Sequence, residues 1–216
     1  MSVAEIKEPA PSRAALLIID MINDLEFEEG RALLPHATAA AKSIRALAAA
    51  ARQAGVPVVY VNDNYGQWHS ERSLIVQHCS RDGALGRDLV TSLAPEDDDY
   101  FVMKPQFSGF YSTNLPALLP RLGVQRLILT GVSADICVLF TAADAHMREY
   151  DLWVPSDCIA SFDTQRTRWA LEILKNSMKA EVRSSKDFSL GEWLALDQSA
   201  EPRSSLAKDA ELRPSS

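Results

Sequence analysis

Cysteine and positive charge are both scarce in this chain of 216 residues. The three cysteines, Cys79, Cys137 and Cys158, stand far apart, which excludes a disulfide framework and a CxxC metal pair. The 22 lysines and arginines are outnumbered by 29 aspartates and glutamates, so the formal net charge is −7. A protein that holds nucleic acid or an anionic membrane surface by electrostatic attraction needs the opposite balance. We therefore expect neither a nucleic-acid nor a membrane partner.

Long apolar runs are missing as well. No run is long enough to span a bilayer, and Met1–Lys7 lacks the apolar centre of a secretory signal peptide. A cytoplasmic location is the resulting expectation, and there the cysteines would stay as free thiols. Hydrophobic residues nevertheless make up 47% of the chain, which is enough for a full core. We expect one domain over residues 1–197, followed by a polar C-terminal tail over residues 198–216.

Apolar runs of strand length alternate with stretches of helical spacing along most of the chain. The helical stretches include Thr38–Ala54, Asn114–Leu122 and Thr164–Met178, and Asp163 is a candidate N-cap for the last of them. Such alternation predicts βαβ units, and hence an α/β fold in which a parallel sheet carries helices on both faces. The runs predict six strands, at about 14–20, 56–62, 99–104, 125–132, 151–155 and 180–183.

Cys137 stands just after the fourth of these strands. The segment Leu127–Val132 is continuously apolar, as in a buried parallel strand, and helical spacing runs from Ser133 to Arg148. The thiol is therefore expected in the first turn of a helix, where backbone N–H groups and the helix dipole favour a thiolate. The alternative is a buried cysteine that only packs as a small hydrophobe.

Two charged residues occupy equivalent positions on other strands. Asp20 follows the apolar run Ala14–Ile19, and Lys104 follows Tyr100–Met103. Open α/β sheets bind their ligands at the carboxyl ends of the strands. A single charge there is typical of a solvated strand end. A carboxylate, an ammonium and a thiol together predict a nucleophile with a base and a charge partner.

Three segments in this order resemble the isochorismatase-like cysteine hydrolases, a family that includes nicotinamidases and N-carbamoylsarcosine amidase. They are residues 16–24 (LLIIDMIND), 104–110 (KPQFSGF) and 131–138 (GVSADICV), and similarity continues through 144–148 and 155–158. The resemblance covers roughly residues 13–183 and implies a Rossmann-like three-layer α-β-α fold with six mainly parallel strands in the order 3-2-1-4-5-6. It also implies a catalytic triad of Asp20, Lys104 and Cys137, and a cis peptide between Val132 and Ser133.

These residues suit hydrolysis of an amide. Lys104 would stabilise the thiolate while Asp20 takes the thiol proton, and the N–H groups of Ser133 and Cys137 would donate to the oxyanion. The chemistry would pass through a thioester on Cys137. We therefore predict a cysteine-dependent hydrolase of a small amide, carbamoyl or ureido compound. The alternatives are vinyl-ether hydrolysis of isochorismate and a non-catalytic interaction protein on the same fold.

The loop after the second predicted strand departs from the metal-binding branch of the family. Nicotinamidases that bind a metal carry an Asp-x-His pair there, whereas this chain has Asp63, then Tyr65 in place of the first histidine. Asp63 and His69, six residues apart, form a poor ligand set. We expect no metal and no other cofactor.

Several side chains in the loops after the strands are candidates for lining the substrate pocket, because a packed core has less claim on loop aromatics. Subunit contacts and local packing are the alternatives for each of them. The resemblance also implies a homodimer or homotetramer, and aromatics in the loops after Asp20 and Asn62 predict that its contact lies close to the pocket mouth. The candidates are Leu25, Asn64, Tyr65, Trp68, Phe107, Phe110 and Tyr111.

Overall fold

A computed structural model of the chain describes residues 13–66 and 71–196. The predicted tail over 198–216, together with Trp68 and His69, lies outside the described residues. The strands are β1 (Ala14–Ile19), β2 (Val58–Asp63), β3 (Tyr100–Lys104), β4 (Arg126–Val132), β5 (Asp151–Trp153) and β6 (Ile159–Ala160). The helices are α1 (Gly30–Gln53), α2 (Arg72–Cys79), α3 (Arg87–Ser92), α4 (Leu115–Arg121), α5 (Leu139–Met147), α6 (Thr164–Met178) and α7 (Leu190–Ala195).

The strands form one parallel sheet in the order β3-β2-β1-β4-β5, with β6 paired to β4. The predicted parallel α/β architecture is confirmed. All six residues of β1 are buried, because β1 lies at the centre of the sheet with helices on both faces. Alternate residues of β1 enter two separate cores: Leu16 and Ile18 belong to one, and Leu17 and Ile19 to the other.

The sixth strand differs from the prediction. Residues 180–183 make only an isolated bridge, between Glu181 and Trp153, whereas β6 lies at Ile159–Ala160. The short β5 pairs with the first half of β4 only, so the far end of β4 is open to β6, which pairs with Gly131 and Val132. A strand of two residues has no periodicity to recognise, which is why the sequence did not predict it.

Helix boundaries differ from the predictions at two places. Helix α1 begins at Gly30, ahead of the expected Thr38, and contains Pro35. The helix predicted from Ser133 is divided into a π-helical turn, Ala134–Val138, and the α-helix α5. The predicted N-cap of α6 is confirmed, since the Asp163 side chain accepts a hydrogen bond from the Gln165 N–H.

No helix among residues 13–66 and 71–196 is both long and apolar enough to cross a membrane.

Candidate active site

Three strand ends bring Asp20, Lys104 and Cys137 together at one edge of the sheet. Asp20 directly follows β1 with a φ of 51°, and its N–H donates to the Val61 carbonyl at 3.0 Å. Lys104 is the last residue of β3, and Cys137 lies in the π-helical turn after β4. Parallel strands end at the same edge, so residues far apart in sequence meet there.

Lys104 contacts both other members of this group. Its Nζ lies 2.8 Å from Asp20 Oδ2, 3.6 Å from Cys137 Sγ and 3.2 Å from the Gln106 carbonyl oxygen. Asp20 Oδ1 in turn accepts the Asp63 N–H at 2.8 Å. The sheet register places Asp63 opposite Lys104, and the two charged groups approach to 3.9 Å. A carboxylate, an ammonium and a thiol are therefore in mutual contact.

Burial makes these charges interact strongly, because few water molecules can screen them. Lys104 is 1% exposed and Asp20 6% exposed. Burial raises the pKa of Asp20 above its usual range, although the Lys104 charge and hydrogen bonds from Cys137 and Lys104 act in the other direction. For Lys104, burial lowers the pKa, but the opposing contributions, of which the Asp20 charge is the largest, outweigh it, so the pKa is raised and the ammonium stays charged.

The Cys137 thiol differs from the sequence-based expectation of a favoured thiolate. Burial, followed by the negative charge of Asp20, raises its pKa to about 12, although Lys104 opposes that shift. The physical reason is that the start of the turn is buried beside a carboxylate, a contact that local sequence does not reveal. A thiol with a raised pKa needs a base to remove its proton, and Asp20 lies beside it.

The turn that carries Cys137 is tightly tied to its surroundings. The peptide bond between Val132 and Ser133 is cis. Gly131, just before it, has a φ of +113°, and a side chain there would collide with the Ile19 carbonyl of β1. Ser133 has an extended backbone, and its carbonyl oxygen accepts the N–H groups of Ile136 and Val138 at 3.1 and 3.2 Å.

Asp135, which sequence reasoning missed, anchors this turn. Its Oδ1 accepts the hydroxyl groups of Ser133 at 2.8 Å and Ser161 at 2.6 Å, and its Oδ2 lies 2.9 Å from Arg166 Nη1. Ser161 follows β6 and Arg166 lies in the first turn of α6. Its position two residues before Cys137 was the only local signal of this role, because two of its three partners, Ser161 and Arg166, lie more than 25 residues further on in the chain.

Two of the loop candidates for the substrate pocket lie in the core. Leu25 is 1% exposed and packs in the same core as Leu16. Phe110 is 4% exposed, its ring lies 6.1 Å from that of Tyr150, and Arg148 stacks over it. Local packing therefore accounts for both side chains.

Two aromatic candidates after β3 are exposed. Phe107 is 52% exposed, and its ring lies 5.7 Å from that of Phe140 on the α5 surface; Tyr111 is also exposed. The Gly109 N–H donates to Thr141 Oγ1 at 3.0 Å, so this loop is bonded to α5 close to the Cys137 turn. Trp68 lies outside the described residues.

Tyr65 is held by contacts with other segments, and Asn64 by its own loop. The Tyr65 hydroxyl donates to the Ile22 carbonyl at 3.1 Å, and the Cys79 thiol lies 3.6 Å from it. Asn64 is buried, and its side-chain oxygen accepts the Gly66 N–H at 2.9 Å. In the part of the chain that the structure describes, no three His, Cys, Asp or Glu side chains cluster as a metal site would require.

The fold and the site define a class: a parallel α/β protein with a buried carboxylate–ammonium–thiol group at the carboxyl edge of its sheet. The family model for the isochorismatase domain matches residues 14–187. The chain belongs to the isochorismatase family.

Individual relatives agree with this assignment. The uncharacterized isochorismatase family protein YaaI of Bacillus subtilis is 42% identical over 172 residues, which cover 80% of this chain and 94% of that protein. The ureidoacrylate amidohydrolase RutB of Serratia proteamaculans is 30% identical over 65% of this chain and 67% of its own length. The crystal structure of N-carbamoylsarcosine amidase from Thermoplasma acidophilum is 31% identical, with a TM-score of 0.64 over 82% of this chain and 99% of that one. The family thus includes hydrolases of amide bonds.

Proposed function

We propose that this protein is a cysteine-dependent hydrolase of a C–N bond in a small amide, carbamoyl or ureido compound. One observation carries the proposal: Lys104 Nζ lies within contact distance of both the Asp20 carboxylate and the Cys137 thiol in a buried setting. A thiol becomes a competent nucleophile when an adjacent base removes its proton and a cation stabilises the charge. The names of two relatives, an amidohydrolase and an amidase, support the same class of reaction.

In the first half-reaction Asp20 accepts the thiol proton, and Cys137 Sγ bonds to the substrate carbonyl carbon. The raised pKa of Asp20 suits this role, because a carboxylate of higher pKa is a stronger base. Lys104 offsets the charge that forms on sulfur. The carbonyl electron pair moves to oxygen, where the N–H groups of Ser133 and Cys137 are the proposed donors.

The tetrahedral intermediate collapses when the C–N bond breaks. Asp20 returns its proton to the departing nitrogen, and a thioester remains on Cys137. In the second half-reaction Asp20 takes a proton from water, the hydroxide oxygen bonds to the acyl carbon, and the C–S bond breaks. The acid leaves, and the proton held by Asp20 returns to the Cys137 thiolate.

No step of this sequence uses a metal. At the position of the first histidine ligand in metal-binding relatives, Tyr65 directs its hydroxyl to the Ile22 carbonyl, and Asp63 accepts the Tyr65 N–H at 2.6 Å. These contacts do not fit a coordination site, so metal independence remains a prediction of the proposed mechanism. The partner is a small-molecule substrate, and a reducing cytoplasm would keep Cys137 as a free thiol.

The test is release of ammonia or amine from a panel of small amides, carbamoyl amino acids and ureido acids, with and without iodoacetamide. We expect turnover of at least one compound and its loss on alkylation of Cys137. The panel includes isochorismate, because turnover of that compound alone would identify a vinyl-ether hydrolase instead. No turnover, together with an unreactive Cys137, would favour a non-catalytic protein.

A further inference from the structure

Asp135 is the most fully engaged carboxylate beside the proposed site. Its side chain is 13% exposed and receives three side-chain contacts: the hydroxyl groups of Ser133 and Ser161, and Arg166. Three separate segments meet at this carboxylate, namely the turn after β4, the residues after β6 and the first turn of α6. A buried carboxylate with this number of partners fixes the positions of the groups that donate to it.

One of these donors belongs to a residue with a proposed role in the reaction. Ser133 bonds to Asp135 through its hydroxyl, while its backbone N–H is one of the two proposed oxyanion donors. Asp135 itself lies inside the π-helical turn, two residues before Cys137, whose N–H is the other donor. The carboxylate thus bonds to the Ser133 end of the segment that carries these two N–H groups, and it ties that segment to Ser161 and Arg166. Catalytic donors lose much of their effect when they are displaced by a fraction of an ångström to an ångström.

We infer that Asp135 is a positioning residue of the oxyanion site, which holds the N–H groups of Ser133 and Cys137 in place through its contacts with Ser133, Ser161 and Arg166. This inference rests on the proposed function. The inference predicts that stabilisation of the oxyanion can be changed separately from the reactivity of the thiol. The reason is that Asp135 makes no contact with Lys104 or Asp20 among the hydrogen bonds and ion pairs of the described residues. Loss of Asp135 should therefore weaken stabilisation of an oxyanion more than it changes the reactivity of the thiol.

Two probes of Cys137 distinguish these properties. Iodoacetamide alkylates sulfur by displacing iodide and forms no oxyanion, so its rate reports the thiol alone. A small aldehyde such as propionaldehyde adds to the thiol to give a hemithioacetal. The S–H bond breaks and its proton passes to Asp20, the S–C bond forms, the C=O bond becomes a C–O single bond, and the negatively charged oxygen lies at the oxyanion position. Its affinity is measured as protection of Cys137 from iodoacetamide, with peptide mass spectrometry to localise the adduct.

We expect Asp135→Ala to weaken aldehyde affinity by about tenfold or more, since loss of a whole oxyanion donor costs about a hundredfold or more. The rate of iodoacetamide alkylation should stay close to that of the wild type. Asp135→Asn should recover most of the affinity, because Ser133 and Ser161 both bond to Oδ1, an atom that asparagine can reproduce. The asparagine variant also keeps the test possible if the alanine variant does not fold.

Asp157→Ala is the matched control. Asp157 also accepts a serine hydroxyl and a backbone N–H, both from Ser185, but it lies in the loop before β6 and contacts none of the proposed site residues Asp20, Lys104 or Ser133 in the described hydrogen bonds. Its loss should lower thermal stability and leave both probes unchanged. Equal losses in both probes for Asp135→Ala, or unchanged aldehyde affinity, would overturn the inference. If the wild type itself binds no aldehyde, the proposed oxyanion site fails instead.

Discussion

Two carboxylates lie near Cys137 in the sequence or in space, and their surroundings differ: Asp20 follows β1 (the strand side), and Asp135 lies in the π-helical turn after β4 (the turn side). On the strand side, burial raises the pKa of Asp20 although Lys104 lies 2.8 Å away. On the turn side, burial also opposes the charge of Asp135, but hydrogen bonds from Ser161, Arg166 and Ser133 outweigh it and lower the pKa. Asp20 is thereby suited to exchange a proton, whereas Asp135 stays an anion that anchors its neighbours. The same residue type serves two purposes because its hydrogen-bond donors differ in number and kind.

Both sides serve one thiol, so removal of Cys137 should have the largest effect. We expect Cys137→Ala to lower turnover by about a thousandfold or more while the fold is retained, because the side chain is small and its role is covalent. A slow substrate should leave an acyl adduct on Cys137 that mass spectrometry detects. An adduct on Cys79 or Cys158 instead, or full activity in the variant, would refute the assignment.

The second prediction contrasts the two carboxylates directly. Asp20→Asn should lower kcat by about a hundredfold to ten-thousandfold, because asparagine cannot accept the thiol proton. Asp135→Asn should lower kcat far less, since its Oδ1 can still accept from both serines. Steady-state kinetics on the same substrate would measure both. The loss in Asp20→Asn should not add to that in Cys137→Ala, because residues that act as a unit are non-additive. Equal losses in the two asparagine variants would remove the distinction between the sides.

The third prediction concerns the charges on the strand side. Burial raises the pKa of Cys137 most, Asp20 raises it further and Lys104 lowers it, with a result of about 12. Asp20→Asn should therefore shift the alkylation of Cys137 to lower pH, and Lys104→Met should shift it to higher pH. Peptide mass spectrometry after timed exposure to iodoacetamide at several pH values would measure both. Asp135→Ala is the control, and the pH dependence of Cys137 alkylation should change little in it. Shifts in the same direction for Asp20→Asn and Lys104→Met would contradict the arrangement of charges.

Exposed apolar side chains on both sides support a prediction about assembly. Helices α5 and α6 expose Phe140, Met147 and Trp169, and the loop after β1 exposes Phe27. Exposed apolar surface is often covered by a partner. We predict a homodimer or homotetramer, with a mass by light scattering of at least twice the 23.8 kDa of one chain. Trp169→Glu tests the helix surface and Phe27→Glu the loop after β1, and at least one of the two should lower that mass. A wild-type mass near 23.8 kDa would refute the prediction.

The smallest expected effect is that of chelation. If the strand side works through Asp20 and Lys104 alone, prolonged treatment with a chelator should leave kcat/KM unchanged. Metal analysis of the untreated protein is the control, and no stoichiometric zinc, iron or manganese is expected. Loss of activity that is restored by one of these metals would contradict the proposed mechanism and point to a metal ion bound near Asp63 and Tyr65.

The fold could be predicted in outline because its signals are local. Buried parallel strands are continuous apolar runs, and helices carry apolar residues every three or four positions. The positions of Asp20 and Lys104 at strand ends were visible for the same reason. Strand β6 was not predicted, because two residues carry no pattern and their pairing depends on how far β5 extends along β4.

The site could be predicted in its three central residues and much less in its surroundings. Leu25 and Phe110 follow strands as pocket residues would, yet both pack into the core. Whether a loop aromatic faces substrate or the interior depends on the path of the loop, which contacts distant in sequence determine. The Tyr65 hydroxyl, for example, is held by the Ile22 carbonyl, 43 residues earlier in the chain.

The order of apolar runs and the identity of the residues after them were enough to place a carboxylate, an ammonium and a thiol at one edge of a parallel sheet. These features depend on neighbours along the chain. The raised pKa of Cys137 and the anchoring of its turn by Asp135 depend on neighbours in space. The first arises only when β1 and β3 pack beside the turn, and the second only when the residues after β6 and helix α6 do. Charges interact over distances that sequence separation does not measure, so only the folded chain sets the proton affinities of its site.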